Sequence, residues 1–88
     1  MKAVITVVGS DRVGILAMIA NACATHNVNV LDVSQTIIDG IFTMTMITDC
    51  SQVSDFEKFA ANMEVLGTEN SLIVRVMNQD IFHAMHTI

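Results

Sequence analysis

Asp39-Gly40 constrains this chain more than any other pair of residues. It separates "VNVLDVSQTII" from "IFTMTMITD", two segments rich in β-branched residues. A two-residue Asp-Gly connection is a strong hairpin signal, and its length fixes the register of the strands it joins. Residues whose numbers sum to 79, as those of the turn do, are then opposite one another. Ile37 meets Phe42, Gln35 meets Met44, Val33 meets Met46 and Leu31 meets Thr48, giving a mostly apolar face. The other face pairs Thr36 with Thr43 and Ser34 with Thr45, with Ile38 and Ile41 at the turn. Cross-strand partners share a face, so this segregation predicts one face covered by helices and one open.

The flanking segments supply the helices. "AVITVV" (Ala3 to Val8) reads as a strand. From Val13 to His26, Leu16, Ile19, Ala20 and Cys23 recur at helical spacing. Asp11 is placed to cap this helix and Asn27 to end it in a left-handed conformation. Ser54-Asp55-Phe56-Glu57 matches a capping box, and the helix after it carries Phe56, Phe59, Met63 and Leu66 and stops at Gly67. "SLIVRVM" (Ser71 to Met77) is the last strand. Asp80 is expected to cap a short terminal helix with Ile81, Met85 and Ile88 on one stripe. The order β-α-β-β-α-β predicts an α+β, ferredoxin-like sandwich: a four-stranded antiparallel sheet, two helices on one face, and a short C-terminal helix. Residues 1–88 form a single domain, and its free edge strands favour pairing with a second copy.

Composition removes several function classes. Nine acidic against four basic residues give a net charge of −5, which opposes binding to nucleic acid or to anionic membranes. Tyr and Trp are absent, so the open face lacks the aromatic platform that RNA-binding sheets of this shape use. Gly9-Ser10-Asp11-Arg12 interrupts the only long apolar run before it reaches the ~18 residues of a membrane span. No signal peptide is apparent, and Cys23 and Cys50 form no CxxC pair, so a cytoplasmic protein with reduced thiols is expected.

Candidate chemistry concentrates in "VVGSDRVGI", the loop between the first strand and helix. Gly9 and Gly14 have the outer spacing of a phosphate loop, but Ile15-Leu16 stands where the lysine and hydroxyl belong, which removes that reading. Free amides near Val13 to Ile15 could receive a carboxylate, and the Asp11 carboxylate could meet an ammonium group. The pair complements an amino-acid zwitterion. Arg12 reads as a solvated charge. His83 and His86 stand three apart, but no third ligand is near and no metal or cofactor is expected. His26 complements the negative end of the first helix, and Met44, Met46, Met63 and Cys23 read as core. Cys50, ending a strand, is expected to be partly exposed. No serine or cysteine has a base and orienting acid at readable spacing, so the chain is not read as an enzyme.

"ITVVGSDRVGILAMIANACATHNVNVLDVSQ" resembles the ACT domain family of small-molecule regulatory modules. The shared pattern is a strand, Gly-x-Asp-Arg-x-Gly-Ile, a helix, and Asn-x-Asn-Val opening the second strand. "SQT…DGIFTMTMITD" and "IFHAMHTI" look like the free-standing single-domain ACT proteins of bacteria, similar to the ACT modules of the glycine-cleavage repressor. The resemblance covers the whole chain. It implies a homodimer, often side by side through edge strands and first helices, with an amino acid bound at the interface against the loop before the first helix. In serine-binding members one asparagine in this loop and another opening the second strand contact the ligand. Asp11 and Asn29 fill those places here, and Gly9 stands where such members carry histidine. Ser10, Asp11, Val13, Gly14 and Asn29 are therefore the expected ligand-binding residues of a regulatory homodimer that signals to another protein. A ligand-free dimerisation or docking adaptor is the alternative, and a small hydrolase is disfavoured because Arg12 is the only basic residue near the loop.

Overall fold

Four strands form one antiparallel sheet in the order β2-β3-β1-β4, with β1 at Lys2–Ser10, β2 at Asn29–Ile38, β3 at Ile41–Asp49 and β4 at Leu72–Asn78. Helix α1 (Ile15–Thr25) joins β1 to β2, α2 (Phe56–Glu69) joins β3 to β4, and α3 (Gln79–His86) follows β4 directly. This computed structural model describes residues 1–86, with side chains through Phe82. The side chains of His83, Met85, His86 and Ile88 lie outside the described residues, so the expectations placed on them go no further.

The hairpin takes the expected register. Asp39 (φ 53°) and Gly40 (φ 77°) both adopt the positive φ of a type I′ turn, and Ile38↔Ile41 through Asp32↔Ile47 follow in step. The step then breaks. Val30, not Leu31, opposes Thr48, because a bulge between Val30 and Asp32 leaves Leu31 unpaired. An inserted residue of this kind is invisible to turn arithmetic.

The helix-side face holds the core. Ala3, Ile5 and Val7 of β1, Phe42, Met44 and Met46 of β3, and Leu72 and Val74 of β4 are buried against Ile15, Ile19 and Cys23 of α1 and Phe59 and Met63 of α2. Thr48 is the buried polar residue of this set, and its hydroxyl donates to the Ala3 carbonyl at 3.0 Å. Cys50 is buried as well, contrary to expectation, with Sγ 3.6 Å from the Thr48 hydroxyl. Its place after β3 is covered because its amide is tied to the Met1 carbonyl at 2.8 Å.

The ends of α2 and α3 differ from the sequence reading in three places. Asp55, not Ser54, caps α2, its carboxylate accepting from the Lys58 amide at 3.1 Å. Helix α2 runs through Gly67, which is buried against β4, and ends at Asn70 with Ser71 left-handed. Asn78, not Asp80, caps α3 by accepting from the Asp80 amide at 2.8 Å. At the end of α1 the expectation holds: Asn27 has φ 60°, and Val28 and Asn27 donate back to Cys23 and Ala24 at 2.9 and 3.1 Å, a Schellman closure.

The second sheet face is only half open. Val4 points away from the helix-side core, yet it is 1% exposed. Helix α3 packs on β1 and β4, and Val4 pairs with Met77 there, so α3 covers that end.

Candidate functional site

The loop Ser10 to Gly14 is built by two constraints. At its start, the Asp11 amide donates to the Gly40 carbonyl at 2.9 Å, which ties the loop to the tip of the β2–β3 hairpin. At its end, Gly14 takes φ 94° and serves as the N-cap of α1, a left-handed conformation that favours glycine. Asp11 therefore does not cap the helix as expected. The loop makes one more turn before α1 begins, and no side chain caps it. The start of α1 has no side-chain cap and its first turn carries no acidic residue, which leaves a positive helix terminus.

Around this terminus Ser10, Asp11, Arg12 and Val13 are all exposed, Val13 completely. A β Cβ added at Gly14 would meet nothing within 4 Å, so this glycine answers to backbone conformation and not to packing within the protomer. Gly9 is different. A Cβ there would come within 2.5 Å of Leu72 Cδ2 and 3.3 Å of the Ser71 carbonyl, so a side chain at this position requires the end of Leu72 to move aside.

Asn29 is not with the others. It pairs with Asp49, which pairs with Lys2, at the end of the sheet opposite the Ser10↔Ile41 pair. The length of β3 separates the two ends, eight residue steps from Ile41 to Asp49, or roughly 26 Å at ~3.3 Å per residue. The structure thus groups Ser10, Asp11, Val13 and Gly14 and leaves Asn29 remote within one protomer. What surrounds Asn29 was not read from the sequence: with Asn27, Val28, Ala24 and Gln52 it lines an open cleft of about 440 Å³. Gln52 reaches this place only because the β2–β3 register carries the turn after β3 alongside the start of β2.

His26 sits beside that cleft. Its Nδ1 lies 2.9 Å from the Ala22 carbonyl, so a proton there donates to the last turn of α1, and Nε2 then accepts from the Asn62 amide at 3.2 Å. The ring also packs on Phe59 at 5.2 Å between centroids. This side chain joins α1 to α2 and has no spare nitrogen. Burial pushes the Cys23 thiol up to about 11 and raises Cys50 as well, so neither is an activated nucleophile. Among the described residues, no three His, Cys, Asp or Glu side chains could hold a metal ion, and no helix is long and apolar enough to cross a membrane.

Comparison with known proteins agrees with this architecture. Residues 2–77 match the ACT domain family. A UPF0237 protein of Bifidobacterium longum is 49% identical over 99% of this chain and 98% of its own length. An ACT domain protein from Streptococcus pneumoniae superposes with a TM-score of 0.83 at 34% identity, over 93% of each chain. A larger protein assigned as a glycine cleavage system transcriptional repressor superposes with a TM-score of 0.73 at 26% identity, over 85% of this chain and 43% of its own. The strand order, the glycine-capped first helix and these matches across nearly the full length agree: the chain belongs to the ACT domain family.

Proposed function

We infer that the chain is a non-enzymatic regulatory module that pairs through β2 and α1 and binds an amino acid at the seam between two copies. The observation that carries this reading is the placement of the candidate residues at opposite ends of one edge strand. An antiparallel pairing of β2 with a second β2 sets the Asn29 end of each beside the hairpin tip of the other. Because the Asp11 amide is bonded to Gly40 in that tip, the partner's loop comes with it. The remote half of the set is then supplied by the second copy.

Two features single out the β2 edge. Val33 and Ile37 pair with the buried Met46 and Phe42, so they face the helix side, yet both remain exposed, Ile37 by 54%. Leu16 of α1 and Val13 of the loop are exposed as well. The β4 edge is blunted instead, since the Arg75 guanidinium folds back on the Val74 carbonyl at 3.0 Å. At the seam, the uncapped terminus of α1 suits a carboxylate, Asp11 suits an ammonium group, and the amide-lined cleft of Asn27, Asn29 and Gln52 suits a neutral polar side chain.

A thermal-shift series with the common amino acids, with mass measured alongside, tests this. The expected outcome is a dimer stabilised by at least one amino acid, with the shift lost in Asp11→Ala and in Asn29→Ala while the dimer mass persists. Mixing the two variants should restore one intact site per mixed dimer, and hence a partial shift. A site confined to one chain would show no restoration. The second reading, an adaptor without ligand, is favoured by Gly9, whose missing side chain leaves the loop one contact poorer. A stable dimer unmoved by every amino acid selects it.

A further inference from the structure

We propose that the sheet face turned away from α1 and α2 is an interface for a second copy, each copy laying its α3 on the bare half of the other's sheet. The two halves of this face are unlike. Around Val4 and Met77, α3 covers the sheet. Beyond Thr6 no described residue covers it. Val8 pairs with Ile73, and Ile73 and Ile41 are 58% and 53% exposed. Thr43 and Thr36 continue the row of Val8 and Ile73, and Ser10 adjoins Ile41, so this half is uncharged and partly apolar.

The covering element of one half fits the bare half. Helix α3 has eight residues and is ~12 Å long at ~1.5 Å per residue. The strand from Thr6 to Ser10 spans ~13 Å at ~3.3 Å per residue. Ile81 of α3 is itself 56% exposed, an apolar side chain still without cover. A half-turn about an axis across the strands, along the row Ser34, Thr45, Thr6 and Arg75, exchanges the halves. It sets each Ile81 against the other copy's Val8 and Ile73 and lays β4 over β4. Arg75 would then meet its own copy, but its guanidinium has left the face. It folds over the β4 edge, bonded to the Val74 carbonyl, and shares a cleft with Glu64 and Thr68 of α2.

Area decides how many chains assemble. With strands ~4.8 Å apart, the bare half measures on the order of 250 Å², and the outer side of a helix ~10 Å wide adds about 120 Å². Fewer than ~400 Å² per copy is short of the ~800 Å² per partner of a standard interface. Two such contacts acting together reach it. A β2-paired dimer offers two, and the midpoint of β2 at Val33–Ser34 lies in the same row as Thr6 and Arg75. The two rotation axes therefore intersect, and four chains close with D2 symmetry. This closure rests on the β2 pairing; without it the contact between faces keeps fewer than ~400 Å² per copy and holds two chains only weakly.

Light scattering on the full chain tests it. The expected particle holds four chains, and Ile73→Glu and Ile81→Glu each reduce it to two with unchanged circular dichroism. Combining Ile73→Glu with Ile81→Lys returns it to four, a rescue that requires the two side chains to meet. A monomer, a four-chain particle unmoved by either single variant, or a two-chain particle that Ile73→Glu leaves intact overturns the stacking. Ile37→Glu on β2 separates the two interfaces. A two-chain particle split by Ile73→Glu and kept by Ile37→Glu supports the stacked face and refutes the β2 pairing.

Discussion

The Asp55 carboxylate, accepting from the Lys58 amide, satisfies one of the free donors at the start of α2, and Ser54 satisfies none. Replacing an N-cap aspartate with alanine costs about 1 kcal/mol, within a range of about 0.5–2. Asp55→Ala should lower unfolding free energy by that amount in urea titration, whereas Ser54→Ala should change it by less than about 0.5 kcal/mol. Equal losses from both would restore the capping box. Ser-x-x-Glu names Ser54, while Asp55 stands three residues before Lys58, and only the φ of −138° at Asp55 decides between them. Cap choice of this kind depends on where the preceding loop delivers the chain. The same dependence moved the α1 cap from Asp11 to Gly14: the bond from Asp11 to the hairpin was the competing demand, and it is long-range.

At the scale of elements, α2 and β4 approach so closely that Gly67 has no room for a side chain. An added Cβ would lie 2.5 Å from Val74 Cγ2, 2.9 Å from its Cβ and 3.1 Å from the Leu72 carbonyl. Two effects oppose each other in Gly67→Ala. Helix propensity favours alanine by about 1 kcal/mol, while overpacking costs about 1–3 kcal/mol. The branched valine and the strand carbonyl are not free ends that swing aside, so the cost should prevail. Gly67→Ala is expected to destabilise the protein by about 1 kcal/mol, with Gly67→Ala/Val74→Ala recovering part of the loss in a double-mutant cycle. Additive losses would refute the close approach. From sequence, glycine at this position reads as a stop, because a helix end and a helix–sheet contact ask for the same residue. Elements whose evidence is periodic or local were legible: both long helices, the Asp39-Gly40 register as far as Asp32, the Asn27 terminator and the methionine core. The bulge at Leu31 and the burial of Val4 by α3 were not, since each depends on residues far away in the chain. The candidate loop was legible as a group, but the distance of Asn29 from it required the strand order.

The whole molecule carries its alkaline limit in two thiols. Cys23 on α1 and Cys50 after β3 are both free and buried, and burial raises Cys23 from 9.0 to about 11 and raises Cys50 in the same direction. A thiol that ionises at higher pH in the folded state than in the unfolded chain binds more protons when folded. Its stabilising contribution is intact below the unfolded value and is lost as pH rises through the folded one. Stability should therefore stay level up to about pH 8 and fall between about pH 9 and 11, Cys23 contributing up to about 1.4 kcal/mol per pH unit in that window and Cys50 acting in the same direction. The assignment is unusually clean here. The chain has no tyrosine, and its lysines, Lys2 and Lys58, are exposed, so among the described residues the thiols are the buried groups that titrate in this range. Urea titrations from pH 7 to 11 measure the slope. Cys23→Ala should be less stable than the parent at pH 7, because it opens a cavity in the α1 seam, yet should lose less stability on going to pH 11. An unchanged slope in that variant would move the alkaline transition away from the core. The same burial makes alkylation of either thiol at neutral pH wait for unfolding, so its rate should rise in step with denaturant before any change in circular dichroism is complete.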